Sequence, residues 1–175
     1  MNNTEFWSPD RLFGLVISNE QVERIIAIAK RAGNCETGGV LIGCYTETLD
    51  CALLTQVVGP TQDSTAGRTW FRRGIRGLQP LIDYYWKSEH SYYLGEWHFH
   101  PFAPPTPSSQ DLRQMKDIAC SRSYNCPEPL LLIIGGDPEA DYIIRAFVFK
   151  QNDAKQLCYH SELHQIIAGD KATHC

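Results

Sequence analysis

The chain has 175 residues, 43% of them hydrophobic and 21% charged, an ordinary globular composition with length enough for one domain. Its formal net charge of −4 speaks against a general nucleic-acid binder, which needs a basic face. The N-terminus lacks the basic start and apolar run of a signal peptide, and no window reaches the roughly 20 apolar residues that span a bilayer. Seven cysteines (Cys35, Cys44, Cys51, Cys120, Cys126, Cys158, Cys175) include no Cys-x-x-Cys pair. That excludes the usual structural zinc spacings and suits reduced thiols in a cytoplasmic protein.

In chain order, Leu12 to Ile17 reads as a short apolar strand. Ser18 follows as an N-cap with Gln21 three residues on, then Val22, Ile25, Ile26 and Ala29 at helical spacing and Gly33 as the stop. Gly38 to Cys44 and Ala52 to Val58 read as strands, and Gly59-Pro60 opens a polar loop to about Gly74. Pro80 suits the first turn of a helix through Ser88, with Leu81, Ile82, Tyr85 and Trp86 on its buried side. Tyr92 to His100 is a strand stopped by Pro101, and four prolines in the seven residues 101–107 make a stiff surface loop. A helix is expected from Ser108 to about Ser121, with Leu112, Met115, Ile118 and Ala119 inward. Strands follow at Leu130 to Ile134 and Tyr142 to Lys150, and the tail from Asn152 to Ala168 is expected to be helical. The sum is α/β: a mixed β-sheet flanked by helices in a single domain 1–175, with its core at about 12–150 and a C-terminal helix and tail at 151–175.

Side chains alternate along a strand, so His98 and His100 project from one face, and Asp111 follows at a helix start. Two imidazoles and one carboxylate are the ligand set of a catalytic zinc that keeps its fourth position open. Each residue also has a plainer reading. A His-x-His pair on a strand is usually structural, and Ser108-x-x-Asp111 is a capping box. Glu36, between a helix end and an apolar strand, reads either as an exposed loop carboxylate or as the base that a zinc hydrolase needs beside its water. Glu96 shares the face of the histidines; it reads as an ordinary polar residue at a strand start, or as a group that orients an imidazole.

Taken together, Glu36-x-x-Gly39-x-Leu41-x-Gly43, His98-x-His100-Pro101 and, seven residues later, Ser108-x-x-Asp111 resemble the JAMM motif of the JAB/MPN metalloprotease family. The spacing is met without insertion or deletion, and the element order agrees from about Leu12 to Lys150. The resemblance implies a cytidine-deaminase-like fold, one zinc per chain, and hydrolysis of isopeptide or peptide bonds next to ubiquitin or a ubiquitin-like modifier. By position it makes His98, His100 and Asp111 the zinc ligands, Glu36 the general base and Ser108 an oxyanion stabiliser. Phe99 stands where the family often has serine; it should point away from the metal and alter packing.

The chain is short for the insertions with which eukaryotic deubiquitinases grip ubiquitin. It is most similar to bacterial JAB peptidases of ubiquitin-like conjugation operons, including antiphage CBASS systems, which implies E1- or E2-like partners. Two other classes stay open: a non-catalytic MPN scaffold, and a zinc hydrolase of an unrelated peptide or small molecule. Arg68, Arg72, Arg73 and Arg76, interleaved with Trp70 and Phe71, form either a solvated loop or a docking patch. On the second reading Trp70, Arg72 and Arg73 bind substrate beside the proline loop.

Overall fold

A computed structural model describes residues 3–151 and 153–159. Its elements are β1 (Asn3–Trp7), β2 (Gly14–Ser18), α1 (Asn19–Ala32), β3 (Thr37–Tyr45), β4 (Cys51–Val58), β5 (Thr65–Ala66), β6 (Phe71–Arg72), α2 (Leu78–Glu89), β7 (Tyr92–Pro101), α3 (Ser109–Cys120), β8 (Leu130–Gly136), β9 (Tyr142–Lys150) and β10 (Asp153–Tyr159). The expected helix starts hold: Ser18 Oγ accepts the Gln21 amide at 3.3 Å, and Gly33, at φ 61°, ends α1. Ser108 caps α3 in the same way.

Eight strands close into a barrel in the order β1-β10-β9-β8-β7-β3-β4-β2, and β5 pairs with β6 alone. The sheet is mixed, as expected, because β2 pairs with β4 and β7 with β8 in parallel. Its closure was not expected, and two strands that the sequence reading lacks bring it about. β1 pairs antiparallel with both β2 and β10. β10 occupies Asp153–Tyr159, the start of the segment expected to be helical, and pairs with β9. The rest of that expected helix lies outside the described residues. β2 begins at Gly14 rather than Leu12, whose side chain is exposed. The polar loop after Val58 contains the small β5–β6 hairpin.

Strand alternation divides the core between two clusters. Leu41, Trp97, Phe99, Leu132 and Ile134 pack with Ile25, Ile26 and Ala29 of α1. Val40, Ile42, Leu131 and Ile133 face the other way and pack with Met115 and Ile118 of α3 and Leu78 of α2. Phe99 is thus in the first cluster, away from its neighbouring histidines. The side of α2 expected to be buried is only half covered. Leu81, Ile82 and Tyr85 are intermediate and Trp86 is 53% exposed, leaving Leu78 as the fully inserted residue.

The parallel β7–β8 pair positions the site. Parallel neighbours need a crossover connection. Here it runs through the proline loop and α3, which brings the N-terminus of α3 back to the end of β7. Gly135 makes room for the loop, since a Cβ there would collide with the Ala103 carbonyl and the Pro105 nitrogen.

Candidate metal centre

The face of β7 opposite Trp97 and Phe99 carries Glu96, His98 and His100, all buried. α3 adds Asp111 from its first turn. The donor atoms of His98, His100 and Asp111 lie within 4.8 Å of one another. His98 Nδ1 is 2.8 Å from Asp111 Oδ1, and His100 Nε2 is 3.7 Å from Asp111 Oδ2. Although the first pair is close, it is out of hydrogen-bond alignment, and both ring nitrogens of His98 lack a hydrogen-bond partner. Buried polar atoms normally make aligned hydrogen bonds, so an imidazole that makes none while it faces a carboxylate and a second imidazole fits an ion-binding site. The donor chemistry and the spacing both suit a divalent metal.

Neighbouring groups fix each donor. Ser108 N–H donates to Asp111 Oδ2 at 2.7 Å, while Asp111 N–H donates to Ser108 Oγ at 3.1 Å. The capping box and the proposed ligand are therefore one structure, with Asp111 Oδ1 left facing His98. The Phe71 ring meets His98 edge-on at 5.7 Å between centroids, and Gln110 Nε2 donates to the Phe71 carbonyl at 3.2 Å. The His100 ring lies within hydrogen-bonding reach of the Pro104 backbone. Gly38 is needed beneath His98, because a Cβ there would collide with the Trp97 carbonyl and crowd the imidazole and Phe71.

The electrostatics follow from this packing. Burial opposes charge on His98, yet Asp111 and Glu96 outweigh it and push its pKa up to about 9. Burial also opposes charge on Asp111, but contacts with His98 and Ser108 bring its carboxyl down to about 2. His100 titrates below its ordinary range because it is buried. Glu36 precedes β3, and its N–H donates to the Gly67 carbonyl at 2.8 Å. Burial, then the Asp111 charge, push its carboxyl up to about 7. A carboxyl that titrates near neutral pH beside the His98 imidazole and Asp111 is equipped to exchange protons.

The remaining expected residues separate. Trp70 and Arg72 are exposed on the segment that covers Glu36 and His98. Arg73 was grouped with them, but its side chain is 6% exposed and its Nη2 lies 2.9 Å from Glu96 Oε1. Neighbouring residues in sequence point to opposite sides, so a cationic run does not make one surface. Phe71 and Gln114 were not singled out by sequence. Their signal was weak, since their partners lie on other elements.

Comparison with known proteins agrees with the geometry. Residues 18–150 match the family of prokaryotic homologs of the JAB domain. The chain is 43% identical to the CD-NTase/cGAS isopeptidase of Enterobacter hormaechei subsp. hoffmannii (strain UCI 50), covering 88% of this chain and 85% of that protein. It is 32% identical to the CD-NTase/cGAS isopeptidase of Escherichia coli (strain TW11681), over 70% of this chain and 76% of the relative. It is 28% identical to the probable metalloprotease y4qB of Sinorhizobium fredii (strain NBRC 101917 / NGR234), with the same coverages. Among solved structures, protein DSY2949 from Desulfitobacterium hafniense shares the fold with a TM-score of 0.60 at 21% identity, covering 81% of this chain and 87% of that one. The chain belongs to the family of prokaryotic homologs of the JAB domain.

Proposed function

We propose that this protein is a zinc-dependent isopeptidase of the JAMM type that releases a protein from a conjugate joined through its C-terminus. The convergence of His98, His100 and Asp111 in a buried pocket beside Glu36 carries this reading. In tetrahedral zinc sites with bonds of about 2.0–2.1 Å, neighbouring ligand atoms stand roughly 3.3 Å apart. The separations of 2.8 and 3.7 Å bracket that value. Zinc held there supplies Lewis acidity, making water a usable nucleophile near neutral pH and polarising the scissile carbonyl.

Glu36 takes the proton from the attacking water and delivers it to the leaving amine. Ser108 Oγ accepts the Asp111 amide, which leaves its own proton free to donate to the developing oxyanion. The segment 67–72 and the proline loop border these groups, so an extended substrate tail lies between them, with Trp70 and Arg72 as contacts. Arg73 is excluded from that role by its pairing with Glu96.

The names of the two CD-NTase/cGAS isopeptidase relatives suggest the substrate class, a CD-NTase held in an isopeptide conjugate. The antiviral pathway and its E1- and E2-like enzymes are what the resemblance to bacterial JAB peptidases adds to this reading. The reading extends to a cytidine-deaminase-like JAB domain working in the cytoplasm. Its test is cleavage of such a conjugate by purified protein, compared with a linear ubiquitin-like fusion and with the Glu36→Gln variant. Release of the intact CD-NTase by wild type, no release by Glu36→Gln, and zinc bound to both would support it. Equal cleavage by the variant would refute the role of Glu36.

A further inference from the structure

Glu96 has no part in the chemistry above, yet it is completely buried on the face of β7 that carries the two histidines. Its oxygens are engaged from two other parts of the chain and from its own strand. Arg73 Nε donates to Oε1 at 2.9 Å, and Gln114 Nε2 donates to Oε2 at 2.7 Å. Tyr93 Oη, on the same strand, adds a bond to Oε1 at 3.2 Å. Arg73 is itself tied down, with Nη1 donating to the Gly74 carbonyl and Nη2 to Tyr124 Oη. The fourth neighbour of the carboxylate is His98, whose Nε2 lies 3.9 Å from Oε2.

We propose that Glu96 is a positioning residue for the metal centre: its carboxylate keeps the proton of the His98 ring on Nε2 and thereby offers Nδ1 to the metal. The inference rests on the reading of His98, His100 and Asp111 as metal ligands. At 3.9 Å the contact is electrostatic and not a direct hydrogen bond. In a water-excluded site a carboxylate still favours the ring form whose N–H faces it. Nδ1 is the nitrogen that faces Asp111 Oδ1, so the orientation already matches.

A structural role alone accounts poorly for this arrangement. Burying an ion pair costs desolvation that its attraction barely recovers, and apolar replacements of similar volume are often as stable or better. The network does provide alignment. Gln114 lies one turn beyond Asp111 on α3, Glu96 lies two residues before His98 on β7, and Arg73 anchors the segment that packs Phe71 on the imidazole. One carboxylate thus ties together the two elements that carry the ligands and the loop that covers them. His100 faces the Pro104 backbone instead.

Two variants separate positioning from packing. Glu96→Gln removes the charge but leaves Arg73 unpaired; Glu96→Gln/Arg73→Gln removes both charges and leaves none buried alone. Zn2+ affinity is measured by competition with a chromophoric chelator, and folding by thermal melts of the metal-free proteins. Long-range 15N spectra of zinc-loaded wild type report which ring nitrogen of His98 binds metal.

Zinc binding through Nδ1 is expected in wild type, with affinity about 10–100-fold weaker in both variants, including a double variant that melts like wild type. Wild-type affinity in the double variant would mean that Glu96 serves only to neutralise Arg73, and would overturn the proposal. Zinc bound through Nε2 of His98 would overturn it even if neither variant folds. Failure of wild type to bind zinc at all would instead overturn the metal reading on which the proposal rests.

Discussion

His98 Nδ1 lies 2.8 Å from Asp111 Oδ1, in a pocket where both side chains are at most 7% exposed. Without metal the two form an imidazolium–carboxylate contact, and this is why the pKa of His98 is pushed up to about 9 despite burial. Zinc binding must therefore displace a proton from His98, whereas His100, which titrates below its ordinary range, is already neutral. Affinity for Zn2+ should rise by about tenfold per pH unit from roughly pH 7 and level off above about 9. Calorimetry in buffers of different ionisation enthalpy should detect about one proton released per zinc bound at pH 7. A flat pH profile with no proton release would contradict this account of the pair.

Glu36 is raised as well, but here the shift disfavours the charged form. Its folded pKa, pushed up to about 7 by burial and then by Asp111, exceeds the ordinary carboxylate value of 4.5. A raised pKa means stability that is fully present below about 4.5 and lost as pH rises through about 7. In metal-free protein, Glu36→Gln should consequently raise the melting temperature at pH 8, and the difference should shrink toward pH 5. The same variant should abolish turnover while retaining zinc. Paired melts at the two pH values test the first expectation; identical shifts at both would show that Glu36 is not held in an unfavourable charged state.

The site was legible because its parts are local. His98, His100, Ser108 and Asp111 fall within one strand, one loop and one helix start, and each of those has a period or a cap that sequence displays. The barrel was not legible in the same way. β1 and β10 each contain a single buried hydrophobic residue, Phe6 and Leu157, so neither shows an alternation to read. Their pairing joins the two ends of the chain, and that is settled by long-range contact instead of local pattern. Arg73 and Glu96 are 23 residues apart. Nothing in a run of arginines says which one turns inward. Helical spacing on α2 likewise identified an apolar side without indicating how much of it the fold covers.

Gly39 tests the close packing behind the base. A Cβ at this position would collide with the carbonyl oxygen of Val58 on the paired strand β4, and backbone cannot swing aside as a side chain can. Gly39→Ala should destabilise the protein by about 1–3 kcal/mol through forced separation of β3 and β4. The loss should appear in denaturant unfolding as a lower midpoint with little change in slope. Because β3 starts directly after Glu36, turnover should fall further than the remaining folded fraction explains. A fully active variant of wild-type stability would show that β3 and β4 can part without cost.

Ser108 has two functions that different replacements can separate. Its Oγ accepts the Asp111 amide as the N-cap of α3, and its hydroxyl proton is available to the reaction. Alanine removes both, at a cost to stability of about 1 kcal/mol, whereas glycine is tolerated at an N-cap with a loss of only a few tenths of a kcal/mol. Loss of an oxyanion donor lowers kcat by about 10²–10³-fold whichever residue replaces it. Ser108→Ala and Ser108→Gly should therefore differ in melting temperature yet share a similarly large fall in kcat. If kcat instead followed stability, with glycine close to wild type, Ser108 would act only by holding Asp111 in place. Zinc affinity measured on both variants would then show the same order as their stability.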